Sequence, residues 1–493
     1  MRIAIYFIFI LSQGSIIAQD AVSEINKEIT QDEIRSHLTF MASDALRGRD
    51  TGSQGLEAAA AYITSHFMRW GLDTVSGFPN YLQEVPFVKI TPSSAATVVV
   101  GADTLNLSDD LIVMNGQDQQ STIQGAYVGH GQPDELSDVD LRFKYAISQV
   151  GDGHNEDVMA MLQESKDKRK RIIEAGGMGL IEIYQSVRMP WSFLSRFGQR
   201  QQWSVDSIGD KRHEQFAHMW VHTTDSLILD NLTDNHGPLQ VQMKGIQKET
   251  SGSSNVLAIV PGTDPILSEE YIVYGAHYDH VGVGAPDDQG DTIYNGARDN
   301  ATGTTAILSL AKYVAKNPLR RTAMFVLYTA EEKGLLGSKW FVDHAPVSLD
   351  KIKYCFNIDN GGYNDTSIVS VIGLTRTEAE NVIIESCASF GLEAIEDPAK
   401  EQGLFDRSDN VNFAKQGIPA PTFSLGFRSF DQEIFKYYHQ PGDEVESLDM
   451  AYIEKYVKSF ILSAILIGDA DQNFFWNEGD KYYDKGMELY HNK

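Results

Sequence analysis

The chain has 493 residues, 42% of them hydrophobic and 10% aromatic, which describes a folded globular protein too long for one ordinary core. Its 41 basic and 68 acidic side chains leave a net charge of −27. That balance argues against nucleic acid and anionic membrane surfaces as partners, since both demand a basic face.

In chain order, Met1 to Ala18 reads as a secretory signal: Arg2 is the charged start and Ile3 to Leu11 the apolar stretch. That stretch is too short to span a bilayer, and no later one is long and apolar enough. With Ala18 as a cleavage residue, the expected product is exported, either periplasmic or secreted. Asp32 and Glu33 open a helix expected over Thr30 to Leu46, with Ile34, Leu38 and Met41 at helical spacing. A glycine-containing loop, Arg47 to Ser53, separates it from a second amphipathic helix over Leu56 to Trp70.

From about Ala95 to Gly245 short β-like runs such as Ala96 to Val100, Ala126 to Val128 and Lys144 to Val150 alternate with turns. A helix over Asp167 to Ala175 leads into a strand over Met178 to Tyr184. This texture predicts a small β-rich domain, 103–245, inserted between residues 19–102 and 246–493 of the larger one. Beyond Ser254, strands expected at Tyr271 to Ala276, Thr322 to Tyr328, Ile352 to Ile358 and Thr422 to Leu425 alternate with helices. Those helices are expected near Thr304 to Ala315, Leu335 to His344, Thr377 to Phe390 and Ile453 to Gly468. The alternation predicts an α/β fold, a three-layer sandwich with a mixed, mostly parallel sheet. The only two cysteines, Cys355 and Cys387, are read as buried thiols, although an exported protein could pair them.

The chemistry concentrates where the larger domain's strands end, the place where such sheets bind ligands. Glu331 and Glu332 follow an apolar run, and burying adjacent like charges is costly unless they act on something. One carboxylate can hold a metal while the other takes a proton, and Gly334 allows the turn that would separate them. His277 closes another run, with Asp279 two residues on and able to orient a ligating imidazole. His280, taken as continuing a strand, is expected to point away and is read as a non-ligand. Asp299 opens a helix, either as its cap or as a carboxylate shared by two cations. Asp359 ends a further strand, and His439 has Asp443 nearby to orient it. Oxygen and imidazole donors without thiolate suit zinc in a hydrolytic site, with manganese or cobalt as alternatives.

Gly275 to His280, Gly296 to Gly303, Thr329 to Ser338, Asn357 to Asp359 and Tyr438-His439, in that order, resemble the signature of the co-catalytic zinc aminopeptidases. These are relatives of bacterial secreted leucyl aminopeptidases and of glutamate carboxypeptidase. The resemblance spans about Ser254 to Asp469, and 103–245 more weakly resembles the protease-associated domain inserted in many members. It implies two zinc ions per chain, one on His277 and Asp359, the other on Glu332 and His439, with Asp299 bridging. It further implies Glu331 as general base, Tyr438 as oxyanion donor, Arg407 as a substrate contact and peptides with a free N-terminus as substrates. Asp279 is expected in the catalytic set beside them. Arg298 and Asn410 depart from residues common in the family. Carboxypeptidase or dipeptidase activity, a single-zinc transferase of the glutaminyl cyclase type, and a non-catalytic receptor module remain alternatives. Nothing in the sequence indicates the oligomeric state.

Overall fold

A computed structural model describes residues 19–155, 157–185, 189–205, 215–234 and 237–491, so the expected signal segment lies outside the described residues. The chain forms two compact units, the larger comprising the described residues up to Val85 and from Gly252 onward, the smaller Pro86–Ser251. The smaller unit is wider than the predicted 103–245. Strand Ala96–Val100 pairs antiparallel with Pro238–Met243 and so cannot be left to the other unit.

The larger unit is built on strands β1 (Gln247–Val260, from Gly252 on), β2 (Tyr271–His277), β3 (Thr322–Tyr328) and β4 (Ile352–Ile358). Strands β5 (Ile368–Ile372), β6 (Glu393–Glu396) and β7 (Thr422–Leu425) belong to the same sheet. They lie side by side in the order β6-β5-β7-β4-β2-β3-β1. Strands β7, β4, β2 and β3 run parallel, while β1 is antiparallel to β3 and β5 antiparallel to β7. The sheet is therefore mixed with a parallel centre. β5 and β6 were not among the expected strands.

Alternate residues along each central strand enter different cores, which is why these runs are apolar at every position. Ile272, Tyr274, Phe325, Leu327, Phe356 and Ile358 pack on one face. Helices α1 (Gln31–Met41), α2 (Gln54–Trp70), α3 (Gly303–Lys316), α5 (Glu380–Ser389) and α6 (Met450–Asp469) contribute to that core. Val273, Met324, Val326 and Cys355 enter the core on the other face with Phe341 and Val342 of α4 (Leu336–Asp343). Sheet and helices thus make three layers. Cys355 and Cys387 are both buried and unpaired.

The first expected helix is shorter than Thr30 to Leu46. Thr30 caps α1, its hydroxyl accepting from Glu33 N at 3.3 Å, but the chain leaves helical geometry after Met41. It continues as a short turn over Asp44–Arg49, with Arg47 and Gly48 in the left-handed region at φ 48° and 68°. At Gly48 a Cβ would stand 2.3 Å from the carbonyl oxygen of Gly282, so only glycine lets this loop approach the segment beyond β2.

In the smaller unit, described strands pair in the order 103–106, 96–100, 238–243, 119–127, 144–149, 179–183, 217–221 and 111–115. Helix Val158–Glu174, longer than expected, brings Lys168 and Ser165 to Glu182. Lys168 Nζ lies 2.6 Å and His218 Nε2 2.7 Å from that fully buried carboxylate, so the charge is paired within the core. No helix among the described residues is long and apolar enough to cross a membrane.

Candidate metal centre

Three neighbouring strands deliver the cluster through their register. Parallel pairing sets His277 level with Tyr328 on β3 and Gly275 level with Asn357 on β4. Asp359, two residues beyond Asn357, therefore comes up beside His277, and the chain beyond Tyr328 carries Glu331 and Glu332 to the same end. His277 Nε2 lies 3.1 Å from Asp359 Oδ1 and 3.3 Å from Asp299 Oδ1. The other oxygen of Asp299 lies 3.1 Å from His439 Nε2, which is 3.2 Å from Glu332 Oε1.

Two groups of donors result, each compact enough to hold a cation: His277, Asp299 and Asp359, and His280, Asp299, Glu332 and His439. Asp299 belongs to both. The donors are buried and part-buried carboxylates and imidazoles with no thiolate among them, a set that fits zinc. The backbone flanking the adjacent glutamates is left-handed at Ala330, a non-glycine residue at φ 55°, as well as at Gly334, φ 104°. His439 is likewise left-handed at φ 52°.

His280 corrects the sequence reading. Its Nδ1 is 2.9 Å from Glu332 Oε1, so it joins the cluster rather than pointing away. β2 ends at His277, and the alternation of a strand no longer governs the residues beyond.

Asp279 and Asp443 also work differently from expectation. His277 Nδ1 meets the main-chain carbonyl of Asp279 at 3.2 Å, and the Asp279 carboxylate is 3.8 Å away. That carboxylate instead accepts from Glu331 N and from Thr51 Oγ1, each at 3.1 Å, fixing the turn that presents Glu331. Asp443 orients Asp299 rather than His439. It accepts from Arg298 Nη1 at 2.8 Å, Arg298 N at 2.9 Å and Asp299 N at 3.3 Å. Arg298 also donates to Ser447 Oγ at 2.7 Å and lies 3.7 Å above the Tyr437 ring. It is a buried clamp, which explains its departure from the family pattern without assigning it to substrate. Asp443→Asn leaves Arg298 buried without its counter-charge and should cost about 3–5 kcal/mol, read as a lower denaturant midpoint at unchanged slope.

Arg49 was not singled out in the sequence, yet it is fully buried and donates to Tyr278 O at 2.9 Å, Asn295 O at 2.7 Å and Gly296 O at 3.1 Å. It thereby ties together the loops carrying Asp279 and Asp299. Asp409 is another buried carboxyl that the sequence reading passed over. Burial, with Asp359 and Asp279 nearby, pushes it up to about 7 against the pull of His277. Asn410 is buried and donates to Ala420 O at 3.2 Å, away from both donor groups.

Burial, then Asp359, Glu332 and Asp409, raise Glu331 well above the carboxylate range. Burial works against protonation of His439, but Asp299 and Glu332 outweigh it and lift the imidazole to about 10. His277 is also raised, burial again opposed and overcome by the carboxylates, Asp359 foremost. Both imidazoles are therefore protonated at neutral pH until a cation takes the ring nitrogen. Zinc loading near pH 7 should release protons from these groups, the His439 contribution falling as pH rises through about 10. Calorimetry in buffers of different ionisation enthalpy measures it.

Over the cluster lies a cavity with Asp299, Glu331, Glu332, Asp359, His439 and Tyr438 at one end. Ile372, Leu404, Phe427, Phe430 and Ile434 form an apolar wall, and Arg407 lines the same space. The Tyr438 ring stacks on His439 with centroids 4.2 Å apart. Burial and the nearby carboxylates raise its phenol, so the hydroxyl keeps its proton.

Residues 255–463 match the family model described as Peptidase family M28. Aminopeptidase YwaD of Bacillus subtilis (strain 168) is 26% identical over 220 residues, 44% of this chain and 44% of the relative. Leucine aminopeptidase 2 of Arthroderma otae is 28% identical over 268 residues, half of each chain. The chain thus matches about half the length of these relatives. Among solved structures, the aminopeptidase from Aneurinibacillus sp. strain AM-1 superposes with a TM-score of 0.54. That match covers 92% of this chain and 97% of the other at 19% identity, a likeness of fold.

Proposed function

We propose that this chain is an exported zinc aminopeptidase that removes N-terminal residues from peptides, using two zinc ions that share Asp299. The observation that carries this reading is the double role of Asp299, whose two oxygens each face a separate donor group, with Glu331 lining the same cavity. His277 and Asp359 would hold one ion, Glu332 and His439 the other. A bound pair would supply Lewis acidity toward the scissile carbonyl and an acidified water.

Glu331 is the general base, taking the proton of the attacking water and passing it to the leaving amine. Asp279 assists by fixing the Glu331 amide. Tyr438, its hydroxyl protonated, donates to the oxyanion that develops at the carbonyl. The acidic floor of the cavity receives the substrate's free ammonium group, limiting cleavage to the first residue. Arg407, which lines the cavity, contacts the substrate. The charged start and apolar stretch of residues 1–18 support export, and the smaller unit is read as a protease-associated domain.

The apolar wall supports large aliphatic first residues. Each added methylene in such a pocket is worth about 1–3 kcal/mol, so leucyl substrates should exceed alanyl ones at least tenfold, roughly, in kcat/KM. Metal analysis after zinc loading and dialysis tests the proposal itself. Two zinc ions per chain, with N-terminal release lost on chelation, are expected. A single ion at saturation would overturn the two-zinc assignment.

A further inference from the structure

His280 lies in the donor group that contains His439, and its position is that of a ligand. Its Nδ1 stands 2.9 Å from Glu332 Oε1 and 4.0 Å from Asp299 Oδ2. His439 Nε2 stands 3.2 Å and 3.1 Å from the same two oxygens. Donors about 2.0 Å from zinc in a tetrahedron are roughly 3.3 Å from one another, so these separations bracket the edges of such a site. The two rings meet at 74° with centroids 5.4 Å apart, bringing their nitrogens to the same oxygens from different directions. The His280 ring is fully buried, and its Nε2 has no hydrogen-bond partner among the described residues. The ring's polar engagement is therefore with the cluster.

We propose that His280 Nδ1 is a further protein ligand, giving the Glu332 and His439 side four protein donors while the His277 and Asp359 side has three. The inference rests on the two-zinc reading above. Its consequence is an unequal pair: the four-donor position fills first and holds its ion more tightly, and the three-donor position keeps coordination open. Loss of His280 should weaken one position selectively. Removing a partner that merely orients a ligand costs about 10–100-fold in affinity, so His280→Gln should weaken the tighter zinc by more than about 100-fold and leave the weaker one near its original affinity.

Zinc K-edge X-ray absorption on the full chain tests the coordination directly, without using activity. At one equivalent of zinc the proposal expects two imidazoles per ion, and at two equivalents three imidazoles shared by two ions. The His280→Gln protein, with metal-free melting checked against the parent, should then show one imidazole per ion. One imidazole per zinc in the parent at both loadings would overturn the proposal, making His280 a hydrogen-bond donor to Glu332 while leaving the two-zinc reading intact. Failure of the parent to bind zinc at all would overturn both.

Discussion

Asp299→Ala should strip both zinc ions from the chain, whereas Asp359→Ala and Glu332→Ala should each weaken only one. The asymmetry follows from geometry. Asp299 Oδ1 lies 3.3 Å from His277 Nε2, and its Oδ2 lies 3.1 Å from His439 Nε2. Among the imidazoles of the described residues, Asp359 approaches His277, and Glu332 approaches His439 and His280. On the two-zinc proposal, loss of Asp299 removes a donor from each position and leaves two carboxylate-rich halves without the charge that joins them. Each affinity should fall by more than the roughly 10–100-fold typical of outer partners. Metal content after dialysis at fixed free zinc distinguishes the variants, and equal retention by Asp299→Ala and Asp359→Ala would refute the bridge.

Glu331→Gln should keep the metal and lose the reaction. Glutamine preserves size and burial but cannot accept a proton, so kcat should fall by about 10²–10⁴-fold with zinc content unchanged. On the proposed mechanism the same residue sets the acid side of the pH profile. Glu331 must be ionised to act, and burial beside Asp359, Glu332 and Asp409 raises its pKa. Activity should therefore rise with pH as Glu331 loses its proton. Bound cations draw that pKa down again, so the activity rise of the zinc-loaded chain sits below the pKa of Glu331 in the metal-free cluster. A Glu331→Gln protein retaining more than a tenth, roughly, of the parent kcat would remove this residue from the base role.

The strand-end residues were legible because a parallel sheet converts sequence position into place. His277, Asp359 and the Glu331-Glu332 pair each follow an apolar run, and the register of β2, β3 and β4 brings those ends together. His280 was misread for the same reason inverted, since the alternation of β2 was extended past its last residue, His277. Side-chain partners across long sequence separations were not legible. Asp443 stands four residues from His439, yet it bonds Arg298, 145 residues away. Arg49 and Thr51 sit in a loop that local pattern marks only as a turn, and their partners lie beyond β2. Strand β5 and the edge strand β6 are not legible, and β6 has only four residues, too short for period alone to identify.

The central claim is that this cluster cleaves peptides from a free N-terminus. The most direct measurement follows one apolar-headed peptide by mass spectrometry with the zinc-loaded chain, as the free amine and as its N-acetyl form. The account predicts stepwise loss of N-terminal residues from the free peptide and none from the acetylated one. Equal cleavage of both forms, or loss of residues from the carboxyl end, would contradict it.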